Sequence, residues 1–264
     1  MNLNNNNILV DLQNQQIVPT KGYCINLERR IDRWELFKQT KPLEINIKRF
    51  DAVDAKNFKK YIIENPLDEL ELKIGFNCDI INNTSGVIGC FLSHYRLWKL
   101  ILNDNNIGEN ELTYIFEDDV NFVEDWFKKL SNYIIGLNFT PNVLYLGGRF
   151  FQNFNIPKNI LNENFEKITD HIFKFKVLGE PYYFDRTNHA YCISKRGAKL
   201  LILRFENYIN RKKTQELVPI DTFMSNLHEI FEMLDISPHI CWSEINFTTD
   251  IQNDQNIYDK TCMF

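Results

Sequence analysis

Residues 112–120 read Leu-Thr-Tyr-Ile-Phe-Glu-Asp-Asp-Val: five apolar or β-branched residues, then three carboxylates in a row. A short run of the first kind, rich in β-branched and aromatic side chains, is a buried strand. Charge placed directly after it marks the point where the chain leaves the core. Open α/β sheets hold their ligands at the carboxyl ends of their strands. This one stretch therefore points to a fold class and to a place where chemistry is expected.

The sequence on either side repeats the pattern. GYCINL (22–27) is a second buried strand that passes straight into a charged helical segment, ERRIDRWELF (28–37). IKRFDAVD (47–54) is a strand ending in acidic residues, and the polar residues 56–85 predict an irregular surface excursion. In GCFLSHYRLWKLIL (89–102), Phe91, Tyr95, Trp98 and Leu102 recur at helical spacing, which makes this a core-packing helix. After the carboxylates come a helix at DWFKKLSNYII (125–135) and a strand closed by two glycines at VLYLGG (143–148). A strand at HAYCIS (189–194) follows, then helices at KRGAKLLILRFENYI (195–209) and DTFMSNLHEIFEML (221–234). Residues 149–186 are aromatic-rich without a clear period and predict a long loop or hairpin over the site.

Strands alternating with helices predict an α/β fold with a Rossmann-like, mainly parallel sheet flanked by helices. A chain of 264 residues is near the upper end of what one core supports. One domain is expected over 21–252, with a polar arm or edge strand at 1–20 and a tail at 253–264.

Apolar residues make up 44% and charged residues 25%, and 21 Phe, 11 Tyr and 4 Trp are enough to fill a core and line a cleft. The net charge of -5 lacks the broad positive field of a nucleic-acid binder, so DNA and RNA are excluded as expected partners. Six cysteines include no C-x-x-C pair and no zinc-like spacing, and read as reduced, buried thiols. Neither a secretory signal nor an apolar run of membrane length is visible, so a cytoplasmic or virion-associated protein is expected.

Glu117-Asp118-Asp119 repel one another and are partly desolvated, which is costly unless a cation compensates. Hard oxygen ligands suit Mn²⁺ or Mg²⁺, and such an ion bridges the phosphates of a nucleoside diphosphate. The competing reading is an acidic strand end that complements the dipole of a following helix. Arg29, Arg30 and Arg33 follow a buried strand and form either a diphosphate clamp or a solvated helix face. Asp51 and Asp54 either accept hydrogen bonds from ribose and base or cap a turn. Ser93, His94 and Arg96 lie on the core helix, where a histidine is more often structural than catalytic. Asp221 either caps the helix after Pro219 or deprotonates an acceptor hydroxyl, and Asp250 carries the same ambiguity.

Taken in order, INLERRIDRWELF (25–37), RFDAVDA (49–55), IGCFLSHYRLWKLI (88–101), YIFEDDV (114–120), HAYCISKRGAKLL (189–201), PIDTF (219–223) and TTDI (248–251) closely resemble the family 25 glycosyltransferases. That family includes lipopolysaccharide-modifying enzymes of bacteria and collagen hydroxylysine galactosyltransferases. The resemblance runs from Tyr23 to Ile251, and GCFLSHYRLWK with EDDV is its most specific part.

The resemblance implies a GT-A fold, a UDP-sugar donor and a Mn²⁺-type metal (or Mg²⁺) held by Glu117 and Asp119, with Asp119 the preferred ligand. Asp118 would support ribose or metal. Asp250 matches a late Ser-Asp position, with Thr249 for the serine, and would add a metal or diphosphate contact. Asn26, Leu27, Asp51, Asp54, Ser93 and His94 fall on donor-binding positions, and Asp221, in Pro-Ile-Asp, matches the acceptor contact or base. Asn188-His189 departs from the family, which has small or hydroxyl residues there, so local sugar contacts are expected to differ. The expected acceptor is a glycan or the hydroxylysine of a collagen-like protein, and a homodimer is left open. Asn-, Ile- and Lys-rich usage would suit a large DNA virus. The alternatives are a lipopolysaccharide-type transferase, a non-catalytic sugar-binding or adhesion module on the same fold, and, remotely, a phosphohydrolase using the acidic cluster.

Overall fold

The computed structural model describes residues 18–76, 85–148, 163–176, 187–211, 219–227 and 231–243. The chain opens with β1 (Lys21–Asn26), α1 (Ile31–Thr40) and β2 (Asn46–Asp51). A 3-10 turn (Ala55–Asn57) leads into α2 (Phe58–Glu64), α3 (Glu69–Phe76) and the long α4 (Ser85–Asn103). Then come β3 (Leu112–Glu117), β4 (Val120–Phe122), α5 (Trp126–Tyr133) and β5 (Val143–Tyr145). β6 (Phe165–Lys167), β7 (Ile172–Phe175), β8 (Ala190–Ser194), α6 (Lys195–Arg211), α7 (Ile220–Ser225), β9 (Met233–Ile236) and β10 (Cys241–Ser243) follow.

Eight strands form one sheet in the order β2-β1-β3-β8-β5-β9-β7-β6, and β4 with β10 forms a separate ribbon. β2, β1 and β3 run parallel, giving the expected Rossmann-like half. β8 then enters antiparallel between β3 and β5, and β9 returns parallel to β5, so the whole sheet is mixed. Alternation along β3 sends Ile115 to one face and Tyr114 and Phe116 to the other. The first face packs against α4, α6 and α7 through Phe91, Trp98, Phe205 and Phe223. The second packs against α1 and α5 through Phe37, Trp126 and Leu130. Both faces are covered, which is why the central strands read as continuous apolar runs.

Three expectations change. The helix expected at 221–234 stops at Ser225, and Met233–Ile236 is a fully buried strand between β5 and β7. Phe223, Leu227, Phe231 and Met233 all join one core cluster, so a helical period runs on past the true helix end. A four-residue strand has too little period of its own to contradict it. Within the excursion at 56–85, α2 and α3 replace irregular chain. Buried Glu71 on α3 meets Lys99 at 3.2 Å and Arg96 at 3.8 Å, which docks α3 on α4. Of residues 149–186, the described part 163–176 carries the hairpin β6–β7 at the sheet edge opposite β2. The rest of that stretch lies outside the described residues, as do 1–17 of the arm and the whole tail.

One close approach sets where α4 lies. A Cβ on Gly89 would come within 2.7 Å of the Val53 carbonyl oxygen. Beside it, the Ser93 hydroxyl accepts the Val53 N–H at 2.8 Å and donates to the Gly89 carbonyl at 2.6 Å. The segment after β2 is thus lashed to α4. Gly89→Ala should cost about 1–3 kcal/mol through overpacking, seen as a lower urea midpoint with an unchanged m-value.

Candidate active site

β1, β2 and β3 all end at one edge of the sheet, and the carboxylates of Glu117, Asp118 and Asp119 gather there. β4 starts one residue later and is pinned to β10, which fixes the turn that carries them.

Glu117 faces α4. Its Oε1 accepts from His94 Nε2 at 3.1 Å and from the Cys90 thiol at 3.6 Å. His94 Nδ1 lies 2.8 Å from the Tyr191 hydroxyl, which also receives the Trp98 indole N–H at 2.9 Å. An indole only donates, so the Tyr191 proton goes to His94 Nδ1. A neutral His94 then carries its own proton on Nε2, aimed at Glu117. His94, Trp98 and Tyr191 are completely enclosed or nearly so. Burial alone would raise the Glu117 carboxyl, but the His94 hydrogen bond and charge, the charge of His189 and the Cys90 thiol together hold the group below its ordinary range. Cys90 Sγ, His94 Nε2 and a Glu117 oxygen lie within 4.8 Å of one another, as in a set of soft-metal ligands. Each of these atoms already has a protein partner, so the set needs no ion to be satisfied.

Asp118 faces α1. Asn26 Nδ2 donates to its Oδ2 at 2.7 Å, and Arg33 pairs with its Oδ1 at 3.0 Å, with both partners of the ion pair largely enclosed. Asn26 in turn accepts from Arg49 Nε at 2.8 Å. Burial still pushes the Asp118 carboxyl up, against the pull of Arg33 and Asn26.

Asp119 is treated differently. Its Oδ1 is shut off from solvent and has no hydrogen-bond partner among the described residues. Burial, then the charges of Glu117 and Asp118, push its carboxyl up to about 7. A buried carboxylate oxygen without a donor, between two like charges, is what a hard cation compensates.

The remaining candidates fall around this cluster. Arg29 pairs with Asp54 at 3.0 Å, Arg30 with the exposed Asp32 at 2.8 Å, and Asp54 also caps the 3-10 turn through the Lys56 N–H. Arg49 reaches Asp51 at 3.4 Å, and the Leu27 carbonyl closes a turn with Arg30. Asp51, Asp54, Arg29, Lys60, Tyr61 and Asn65 line a cavity of about 380 Å³ beside the ends of β1 and β2. Ser93 is fully engaged with backbone, as described, and shapes the site from behind. Asp221, in the first turn of α7, accepts the Thr222 N–H at 2.7 Å; burial, then the charges of Glu117 and Asp221, raise the Cys90 thiol, so Asp221 belongs to the same neighbourhood as Glu117. Asp250 lies outside the described residues.

Arg49, Tyr191, Cys90, Tyr61 on α2 and Asn65 just after it were not singled out from sequence. Arg49 had a legible signal, a charge midway along a strand two residues before Asp51. Tyr191, in an apolar strand, looked like any other core ring.

An α/β sheet with a desolvated acidic turn at the carboxyl ends of its parallel strands has the layout of a GT-A-like glycosyltransferase. The profile of glycosyltransferase family 25 (LPS biosynthesis protein) matches residues 20–224, and the chain belongs to that family. It is 27% identical over 225 residues to procollagen galactosyltransferase 1-B of Xenopus laevis, covering 82% of this chain and 32% of that protein. It is 26% identical over 221 residues to the procollagen lysyl hydroxylase and glycosyltransferase of Acanthamoeba polyphaga mimivirus, covering 79% and 22%. To procollagen galactosyltransferase 2 of Homo sapiens it is 27% identical over 219 residues, covering 80% and 31%. The chain thus spans a third or less of the length of these relatives. No helix among the described residues is long and apolar enough to cross a membrane.

The relay behind Glu117 can be tested without any substrate. Tyr191→Phe leaves the buried Trp98 N–H and His94 Nδ1 without their shared partner, which should cost about 1–3 kcal/mol. Calorimetry should show a Tm lower by roughly 2–10 °C; an unchanged Tm would remove the relay.

Proposed function

We propose that this chain is a UDP-sugar-dependent hexosyltransferase that moves galactose to an acceptor hydroxyl, the hydroxylysine of a collagen-like protein being the favoured acceptor. The observation that carries this reading is the buried Asp119 oxygen, without a partner among the described residues, in a carboxylate cluster at the end of β3, the strand next to β1, where a cavity of about 380 Å³ lies at the ends of β1 and β2. That volume lies in the usual range for small-molecule sites. The names of the relatives supply the choice of sugar and acceptor.

In this reading the cavity takes the nucleoside. Asp51 and Asp54 accept from ribose hydroxyls, and Tyr61, held through its hydroxyl by Arg96 at 2.5 Å, offers a fixed wall for the base. Arg29 and Arg30 stand by the diphosphate, whereas Arg33 is committed to Asp118 and acts on the donor through it. Asp119 and Glu117, with Asp250 as a further carboxylate, would hold Mn²⁺ or Mg²⁺, whose positive charge would compensate the departing diphosphate. The His94 relay keeps Glu117 ionised and oriented for that role. The acceptor oxygen attacks the anomeric carbon, the bond to UDP breaks with its electron pair leaving on UDP, and for an inverting transfer Asp221 takes the acceptor proton. Holding the two reactants in line supplies much of the acceleration.

UDP release with Mn²⁺ and a panel of donors tests the reaction directly. Asp119→Asn should keep its fold and lose metal-stimulated release, and near-normal turnover in that variant would end the assignment. Asp221→Ala should lower kcat by about 10²–10⁴-fold while inhibition by UDP is unchanged; full transfer activity would exclude Asp221 from the proton transfer.

A further inference from the structure

The sheet edge that carries Asp119 has a second group of buried polar atoms that the mechanism above does not use. Asn188 is only 4% exposed, yet neither its Nδ2 nor its Oδ1 has a partner among the described residues. His239 is 7% exposed, and its Nδ1 is in the same condition. Native proteins pair nearly all such groups, and a buried carboxamide with both ends unmade calls for a ligand.

Both residues sit beside the acidic turn. The Glu117 N–H donates to the His189 carbonyl at 2.9 Å, which continues the β3–β8 ladder past Phe116 and Ala190 and brings Asn188 next to the carboxylates. The chain after β9 returns to the end of β5, where the Ile240 N–H donates to the Leu146 carbonyl at 3.0 Å. Between them lies Gly147, whose missing Cβ would stand 2.3 Å from the Cys241 carbonyl and 2.6 Å from His189 Nε2. The glycine lets the two segments close on each other at the edge where β3 and β5 end.

The chemistry of the group selects its ligand. A phosphate only accepts hydrogen bonds and is met by cations and N–H donors. A carboxamide offers donor and acceptor together, and so does a neutral imidazole. Burial and the neighbouring His189 pull His239 down to about 4, so it is neutral at physiological pH. Paired donor-acceptor groups match sugar hydroxyls, each of which both donates and accepts.

We propose that Asn188, with His239, reads the hydroxyls of the transferred hexose, making Asn188 a specificity-determining residue. This rests on the transferase reading above. Asn188, without a partner among the described residues, then gains its hydrogen bonds from the sugar.

The test is Asn188→Leu, close to isosteric and apolar, with Asn188→Ala as the variant that cannot overpack. UDP release from UDP-galactose and UDP-glucose is measured with Mn²⁺, alongside inhibition by UDP and the Tm of the free proteins. The expected result is a Tm equal to or above wild type and an inhibition constant for UDP within about twofold. kcat/KM for the preferred donor should fall about tenfold or more, with weaker discrimination between the two sugars. A lower Tm in both variants with unchanged donor kinetics makes Asn188 structural and overturns the proposal while leaving the transferase reading standing. A wild-type protein that releases UDP from no donor overturns both.

Discussion

Three adjacent carboxylates at the end of a buried strand repel one another, and the chain compensates each by a different device. Glu117 receives a hydrogen bond from an enclosed histidine, and Asp118 receives an arginine and an amide. Asp119 Oδ1 receives nothing from the described residues. If all three were compensated, the turn would be an inert ion-pair network. If none were, burial would drive the carboxyls toward their neutral forms. Compensating two fixes the turn in place and concentrates the unbalanced charge on the third. The site is therefore as much a product of Arg33, Asn26 and His94 as of the acidic residues.

Helix α4 carries much of this work on a single element. Phe91, Trp98 and Ile101 pack into the core, while Gly89 and Ser93 anchor the segment after β2, and Cys90 and His94 reach Glu117. Further along, Arg96 and Lys99 hold α3 through Glu71. Where this helix is enclosed, a polar side chain must be satisfied internally. The enclosed polar residues Ser93 and His94 are accordingly those that position the site.

What could be read from sequence follows the range of the forces involved. The strand at 112–116 and the helix at 89–102 are local patterns, and both stand where expected. The two-sided burial of the parallel half was legible as unbroken apolar runs. β9 was not, because four buried residues have no period to distinguish them from a helix end. Nor was the role of Arg33. On its own turn it resembles a phosphate clamp or a solvated charge, and its partner lies 85 residues away. Tyr191 was hidden for the opposite reason. Its ring belongs to the core, and only its hydroxyl, placed between Trp98 and His94, serves the site.

The direction of β8 ties the two halves of the molecule together. β1, β2, β3, β5 and β9 all end at the edge that holds the acidic turn, while β8, running against β3 and β5, begins there. The start of β8 thus shares one rim with the ends of these five strands. Had β8 run parallel, Ser194 and the start of α6 would occupy that place, and Asn188 and His189 would face the far side of the sheet. The antiparallel insertion puts donor-acceptor groups directly beside carboxylates, so the rim changes chemically along its length. Charged and cation-seeking groups lie over β1 to β3, and neutral paired hydrogen-bonding groups lie over β8 and β5. On the proposed function the donor, a nucleotide sugar, changes in the same order, from charged diphosphate to neutral hydroxylated ring, and by this correspondence its sugar would lie over β8 rather than over β2.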